Sequence, residues 1–255
     1  MRWRYRGHTG RLIRRHRALR SLDVQTSSIM HPLGLTIVAL ALVLYSRNVI
    51  TQAWADIIAF WCDSTGIDVT VSMRQTPVGR IFSYSVPELR LASPLPGAEA
   101  LALSFAIVIA AMLIAYLCLR RFLPLAYLVW AIGVIHLCAI TLFYFSPTAF
   151  PYTIGGHVSG SLEVTLMLLM IVPLILMVAY YPLNFSLAKK VALTLFILLM
   201  VFLFAPHLYA CHIVVMSFHS VLYMPILFAV FGALPIMVMI IAIYGWGMSW
   251  EQQRQ

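Results

Sequence analysis

The sequence predicts an all-α polytopic membrane protein of about six transmembrane helices, with a small outer β-hairpin between helices one and two. Three observations predict this fold class. Of the 255 residues, 62% are hydrophobic and only 10% are charged, against about a quarter charged in a soluble domain. Six apolar runs approach or exceed the ~20 residues that a helix needs to cross the hydrocarbon. Between the first and second runs lie two short stretches whose polarity alternates with a period of two, the mark of half-buried strands.

The chain opens with a basic arm, residues 1–31. Eight arginines fall within its first twenty positions: Arg2, Arg4, Arg6, Arg11, Arg14, Arg15, Arg17 and Arg20. The rest of the chain is nearly balanced, so the net charge of +9 describes an arm and not a surface. Such a cluster beside a membrane holds anionic lipid at about 1 kcal/mol per basic residue. A nucleic-acid partner is not expected. The first transmembrane helix is read at 32–46, PLGLTIVALALVLYS. It has no small-residue cleavage site and is followed by Arg47, so it is expected to stay as an anchor.

Residues 47–97 form the outer segment. From 48 to 62, apolar residues recur at helical spacing with Asp56 on the polar side. An interfacial helix is expected there, with Trp54 and Trp61 at headgroup level. IDVTVSM then alternates Ile67, Val69, Val71 and Met73 against Asp68, Thr70 and Ser72, and IFSYSV alternates again after a Pro/Gly turn. The pair reads as a β-hairpin, either a cap over the helix ends or a docking edge for a partner.

A five-helix bundle is expected over 98–250, with spans at 98–119, 122–145, 161–183, 191–216 and 221–248. The internal Pro173, Pro206, Pro225 and Pro235 do not exclude these spans, because neighbouring helices re-satisfy the carbonyls that proline frees. Arg120 and Arg121, Lys189 and Lys190, and Arg254 all fall on the side of the arginine arm if the spans alternate. By the positive-inside rule that side is the cytoplasm. Both termini are then cytoplasmic, in a bacterial inner membrane. The segment 47–96 carries Arg47, Arg74, Arg80 and Arg90, but it is long enough to translocate regardless of charge.

This threading gathers chemistry at the outer half of the bundle: His136 and Cys138 in the third span, His157 in the loop before the fourth, Glu163 at its start, and His207, Cys211, His212 and His219 towards the exit of the fifth. Ionisable residues in spans turn to the bundle interior or a watery cavity. His207 and Cys211 are four apart and share a helix face, while His212 and His219 are seven apart and share another. Imidazole and thiolate ligands suit a transition metal, with His136, His207 and Cys211 as its candidate ligands. His157, Ser159, Glu163, His212 and His219 are the candidate catalytic groups, through acid/base or nucleophilic chemistry. The spacing holds no HExxH motif, and histidines bonded to helix carbonyls, with Glu163 capping the fourth span, account for the pattern more simply than a metal does. The four cysteines, Cys62, Cys118, Cys138 and Cys211, form no CxxC pair and predict neither a disulfide framework nor a zinc motif.

Three stretches carry a resemblance: HVSGSLEV at 157–164, NFSLAKK at 184–190 and APHLYACHIVVMSFH at 205–219. Their order and sidedness resemble the core of the exosortase/archaeosortase family of membrane transpeptidases, over about a third of the chain (157–240). The resemblance implies cleavage of sorting signals at the outer face. It departs at the chemistry, since Val158 stands at the family's cysteine position and His212, or a neighbour, at its arginine position.

Three functions compete. The first is an accessory subunit of a cell-envelope complex that docks a membrane or periplasmic protein through the outer segment. The second is an exosortase-like or metal-dependent enzyme at the outer face. The third is a transporter component, which no internal repeat supports.

Overall fold

A computed structural model describes residues 26–78, 82–119, 122–180 and 186–251. The arginine-rich arm up to residue 25, the hairpin turn at 79–81, Arg120, Arg121, Asn184, Phe185 and Arg254 lie outside the described residues. The elements in chain order are α1 (Thr26–Ser64), β1 (Thr70–Val78), β2 (Phe82–Arg90), α2 (Ala98–Cys118), α3 (Leu123–Phe145), α4 (Ile154–Tyr180), α5 (Leu187–His219), α6 (Met224–Ala229) and α7 (Ala233–Met248). Six helical stretches are long and apolar enough to cross a membrane: Met30–Ser64, Ala98–Cys118, Leu123–Phe145, Pro147–Tyr180, Leu187–His219 and Val221–Met248. They leave Val38, Ile107, Ile114, Val178 and Ile241 exposed.

The first span and the expected interfacial helix are one element. α1 runs unbroken for 39 residues, about 58 Å at 1.5 Å per residue. No glycine or proline interrupts it after Gly34, so the hydrogen-bond ladder continues past Arg47. Thr51 satisfies its hydroxyl within the helix, on the carbonyls of Arg47 and Asn48 at 3.1 and 3.2 Å. The helix stops in a Schellman motif. Gly66 takes a left-handed φ of +71°, Ile67 N–H reaches Cys62 C=O at 2.9 Å, and Gly66 N–H reaches Asp63 C=O at 3.1 Å. Those two bonds satisfy carbonyls that the helix end would otherwise orphan.

The hairpin forms where the alternation predicts it and extends further. β1 and β2 pair antiparallel from Thr70↔Arg90 to Val78↔Phe82. In β1, Val71 and Met73 are half-buried while Thr70, Ser72 and Arg74 are exposed. β2 is different, with Tyr84, Ser85, Val86 and Pro87 all buried, so both of its faces are covered.

The last expected span is broken. A 3-10 turn at Val221–Tyr223 precedes the short α6, and α7 begins at Ala233. Pro225 and Pro235 sit in the first turns of α6 and α7, where a missing N–H leaves no bond unmade. At Gly232 an added Cβ would stand 2.4 Å from Phe228 O.

The described residues divide into two compact units. One comprises the described residues up to Leu44, Leu169–Met200 and those from Met239 on. The other comprises Tyr45–Leu168 and Val201–Val238. In the first unit, Thr36 donates to Pro173 O (3.1 Å), Tyr244 OH to Ala179 O (3.0 Å), and Tyr180 OH meets Thr194 Oγ1 at 3.1 Å. Lys189, one of the predicted flanking cations, donates Nζ to Trp250 O at 3.3 Å. The second unit holds the hairpin, the start of α4 and the end of α5, and with them the candidate site.

Candidate functional site

Pro206 shapes the site from within α5. It lacks an N–H, so the carbonyl four residues back, Phe202 O, is released. Trp54 Nε1–H fills that vacancy at 2.9 Å. Trp54 is therefore fully buried at 0% exposure. Its ring pins α1 to α5.

The hairpin is fastened to the same unit through Glu163. Tyr84 OH donates to Glu163 Oε1 at 2.5 Å, and Arg74 lies 3.6 Å from the other carboxylate oxygen. Arg74 pairs with Val86 and Thr76 with Tyr84, so Arg74 and Tyr84 stand on one face of the ladder. Burial, then the Glu163 carboxylate as acceptor and as charge, pushes the Tyr84 hydroxyl up to about 12, with Arg74 pulling the other way. Ser85 Oγ donates to Asn48 Oδ1 at 3.1 Å. At Gly155 an added Cβ would lie 1.9 Å from Leu89 O, so only glycine lets the start of α4 approach β2 this closely.

The candidate catalytic residues divide among four settings. His157 Nε2 and His212 Nδ1 are 3.1 Å apart in a buried contact, with the rings stacked at 22° and 5.4 Å. One nitrogen of this pair donates and the other accepts, so a single proton bridges two imidazoles. Tyr209 packs edge-on against His212 and meets Thr165 Oγ1 at 3.0 Å. Glu163 belongs to the hairpin clamp. Ser159 is buried, with no hydrogen-bond partner for its Oγ. His219 is exposed and meets the edge of Tyr223 at 5.9 Å.

The proposed metal ligands His136, His207 and Cys211 are not drawn into a centre. Among the described residues no three His, Cys, Asp or Glu side chains converge as a metal would need. His136 is buried and stacks on Tyr223 at 5.2 Å. His207 and Cys211 share a face of α5, as the helical period requires, but that face is exposed. His207 Nδ1 lies 2.7 Å from the carbonyl of Leu203 in its own helix, and its ring meets the edge of Trp61.

Two cavities flank the first turns of α4. One, of about 380 Å³, is lined by Arg74, Glu88, Arg90, Thr153 and Ser159 among others. The other, of about 480 Å³, is walled by Phe150, Tyr152, Val164, Met224, Pro225 and Phe228, with His157 on its surface. Gly156 and Gly160 line both.

Sequence reasoning missed Tyr84, Arg74, Arg90 and Tyr223. A signal existed for Tyr84 alone: an aromatic in a strand and a lone carboxylate at a span's edge both need a polar partner. Comparisons with family models, with curated proteins and with solved structures return no match to this chain.

Proposed function

We propose that the chain is an accessory subunit of a cell-envelope membrane complex and that the outward edge of β1 takes an extended strand from a partner protein. The observation that carries this reading is the asymmetry of the hairpin. β2 is buried and fixed by Tyr84, Ser85 and Leu89 to the helices of its unit. Among the described residues β1 pairs with β2 alone, in a sheet of two strands. Its other edge offers a row of unpaired N–H and C=O groups, a template for strand addition. Proline and charge usually blunt such edges. Here they occur at Pro77 and Arg74, and Thr70–Met73 has neither. The distribution of basic residues supports placing the hairpin on the outer side, with both termini in the cytoplasm.

A photo-crosslinking residue at Ser72 tests the reading in intact membranes. We expect one discrete protein adduct at Ser72 and none at Ile107, which is exposed on α2. No adduct at Ser72, or the same adducts at both positions, would refute edge docking.

A second reading, an enzyme at the outer face, draws on the buried His157–His212 pair beside an apolar cavity. It lacks a nucleophile bonded to either imidazole among the described residues. Replacing His212 with Gln separates the two. The docking reading expects the Ser72 adduct and the cellular phenotype both retained at normal protein abundance. Loss of phenotype with the adduct intact would favour the enzyme.

A further inference from the structure

We propose that the paired cavities at the start of α4 bind an anionic amphiphile, its acid headgroup between Arg90 and Ser159 and its apolar chain along the Phe150–Phe228 wall. Four observations converge on the headgroup cavity. The N-terminus of α4 opens on it, where backbone N–H groups and the helix dipole favour negative charge. Ser93 and Thr153 already cap Ile154, Gly156 and His157. The N–H of Gly155 is without a partner among the described residues. Ser159 lines the cavity; the residue is 4% exposed, and its hydroxyl is buried with nothing to bond. A buried hydroxyl left unpaired is destabilising, and an acceptor oxygen from a ligand removes that cost. Of the two arginines, Arg74 is held by Glu163, leaving Arg90 as the cation for the headgroup. Glu88 sits at the same rim and opposes it.

The second cavity supplies the rest of the ligand's chemistry. Its wall is aromatic and aliphatic, and its one imidazole, His157, turns Nε2 away to His212. Gly156 and Gly160, one helical turn apart, form the boundary between the two spaces. An added Cβ at Gly160 meets nothing within 4 Å, so the ridge between head and chain is bare backbone over open space. A molecule that is acidic at one end and apolar along its length matches this sequence of surfaces. A free phosphate would use only the first, and a neutral lipid only the second. Phospholipids and fatty acids both have the required chemistry.

The full chain in nanodiscs, read by native mass spectrometry, tests this. Phosphatidylglycerol and oleate are offered in turn against phosphatidylcholine, and inorganic phosphate is the competitor. The arginine-rich arm can hold anionic lipid as well, so the readout is the difference between wild type and variants that all carry the arm. Wild type should retain phosphatidylglycerol or oleate over phosphatidylcholine, and whichever is retained identifies the headgroup. Arg90→Gln and Gly160→Leu should each lower retention by about tenfold. Glu88→Gln should leave it equal or higher, because a carboxylate that repels the headgroup is gone. Gly160→Leu enters open space and improves helix propensity, so its melting temperature should not fall. Equal retention of phosphatidylcholine, full retention in Gly160→Leu, complete displacement by phosphate, or loss on Glu88→Gln would each overturn the proposal.

Discussion

Glu163 is the residue on which the hairpin turns. It accepts from Tyr84, pairs with Arg74, and is the carboxylate that the sequence places at the edge of a span. A hydrogen bond to a charged group contributes about 1.5–3 kcal/mol, so Tyr84→Phe should loosen the hairpin by that order. Limited proteolysis across 67–90 measures it, and unchanged cleavage would contradict the clamp. The same bond sets a pH limit. The Tyr84 hydroxyl titrates at about 12 in the folded protein, above its ordinary value of about 10. Its stabilisation is therefore whole below about pH 10 and is lost as pH rises towards about 12. Cleavage of the hairpin should rise across that interval in wild type and not in Tyr84→Phe. Residue types made Glu163, His157 and His212 legible as candidates. Their pairing was not legible, since Tyr84 lies 79 positions from Glu163 and His157 lies 55 from His212. Helical period sorts faces within one helix and says nothing of which faces meet.

At the scale of elements, α1 shows both the reach and the failure of pattern reading. Apolar spacing from 48 to 62 announced a helix correctly. Arg47 suggested a boundary that the backbone does not make, because a single cation in a helix breaks no hydrogen bond. Gly66 is what ends the helix, through its left-handed φ. Replacing Gly66 with Ala forces a Cβ into that conformation at about 1–2 kcal/mol. The expected result is a lower melting temperature and faster proteolysis after Ser64, and an unchanged melting temperature would contradict the Schellman stop. Trp54 shows a contact that spacing could not reach. Its indole bonds the carbonyl that Pro206 releases, 148 positions along the chain, and apolar spacing within one helix cannot announce such a partner. The strands were read from alternation alone. What alternation could not show is that β2 is covered on both faces, which depends on Gly155 and Asn48.

For the whole molecule, six helices long and apolar enough to cross a membrane were legible from composition and run length, the least context-dependent signals in a chain. A metal centre was not, because it requires three side chains from distant segments to converge, and among the described residues none do so. What stands out instead is a two-stranded sheet, one strand bound to helices and the other, among the described residues, open on its far edge. The central claim is that this open edge is occupied in the membrane. Amide hydrogen exchange on β1 tests it most directly, comparing protein extracted in mild detergent with its companions against protein stripped of them. The account predicts that amides of Thr70–Met73 facing away from β2 are protected in the first sample and exchange rapidly in the second, while β2 amides stay protected in both. Equal exchange of those β1 amides in the two samples would contradict it.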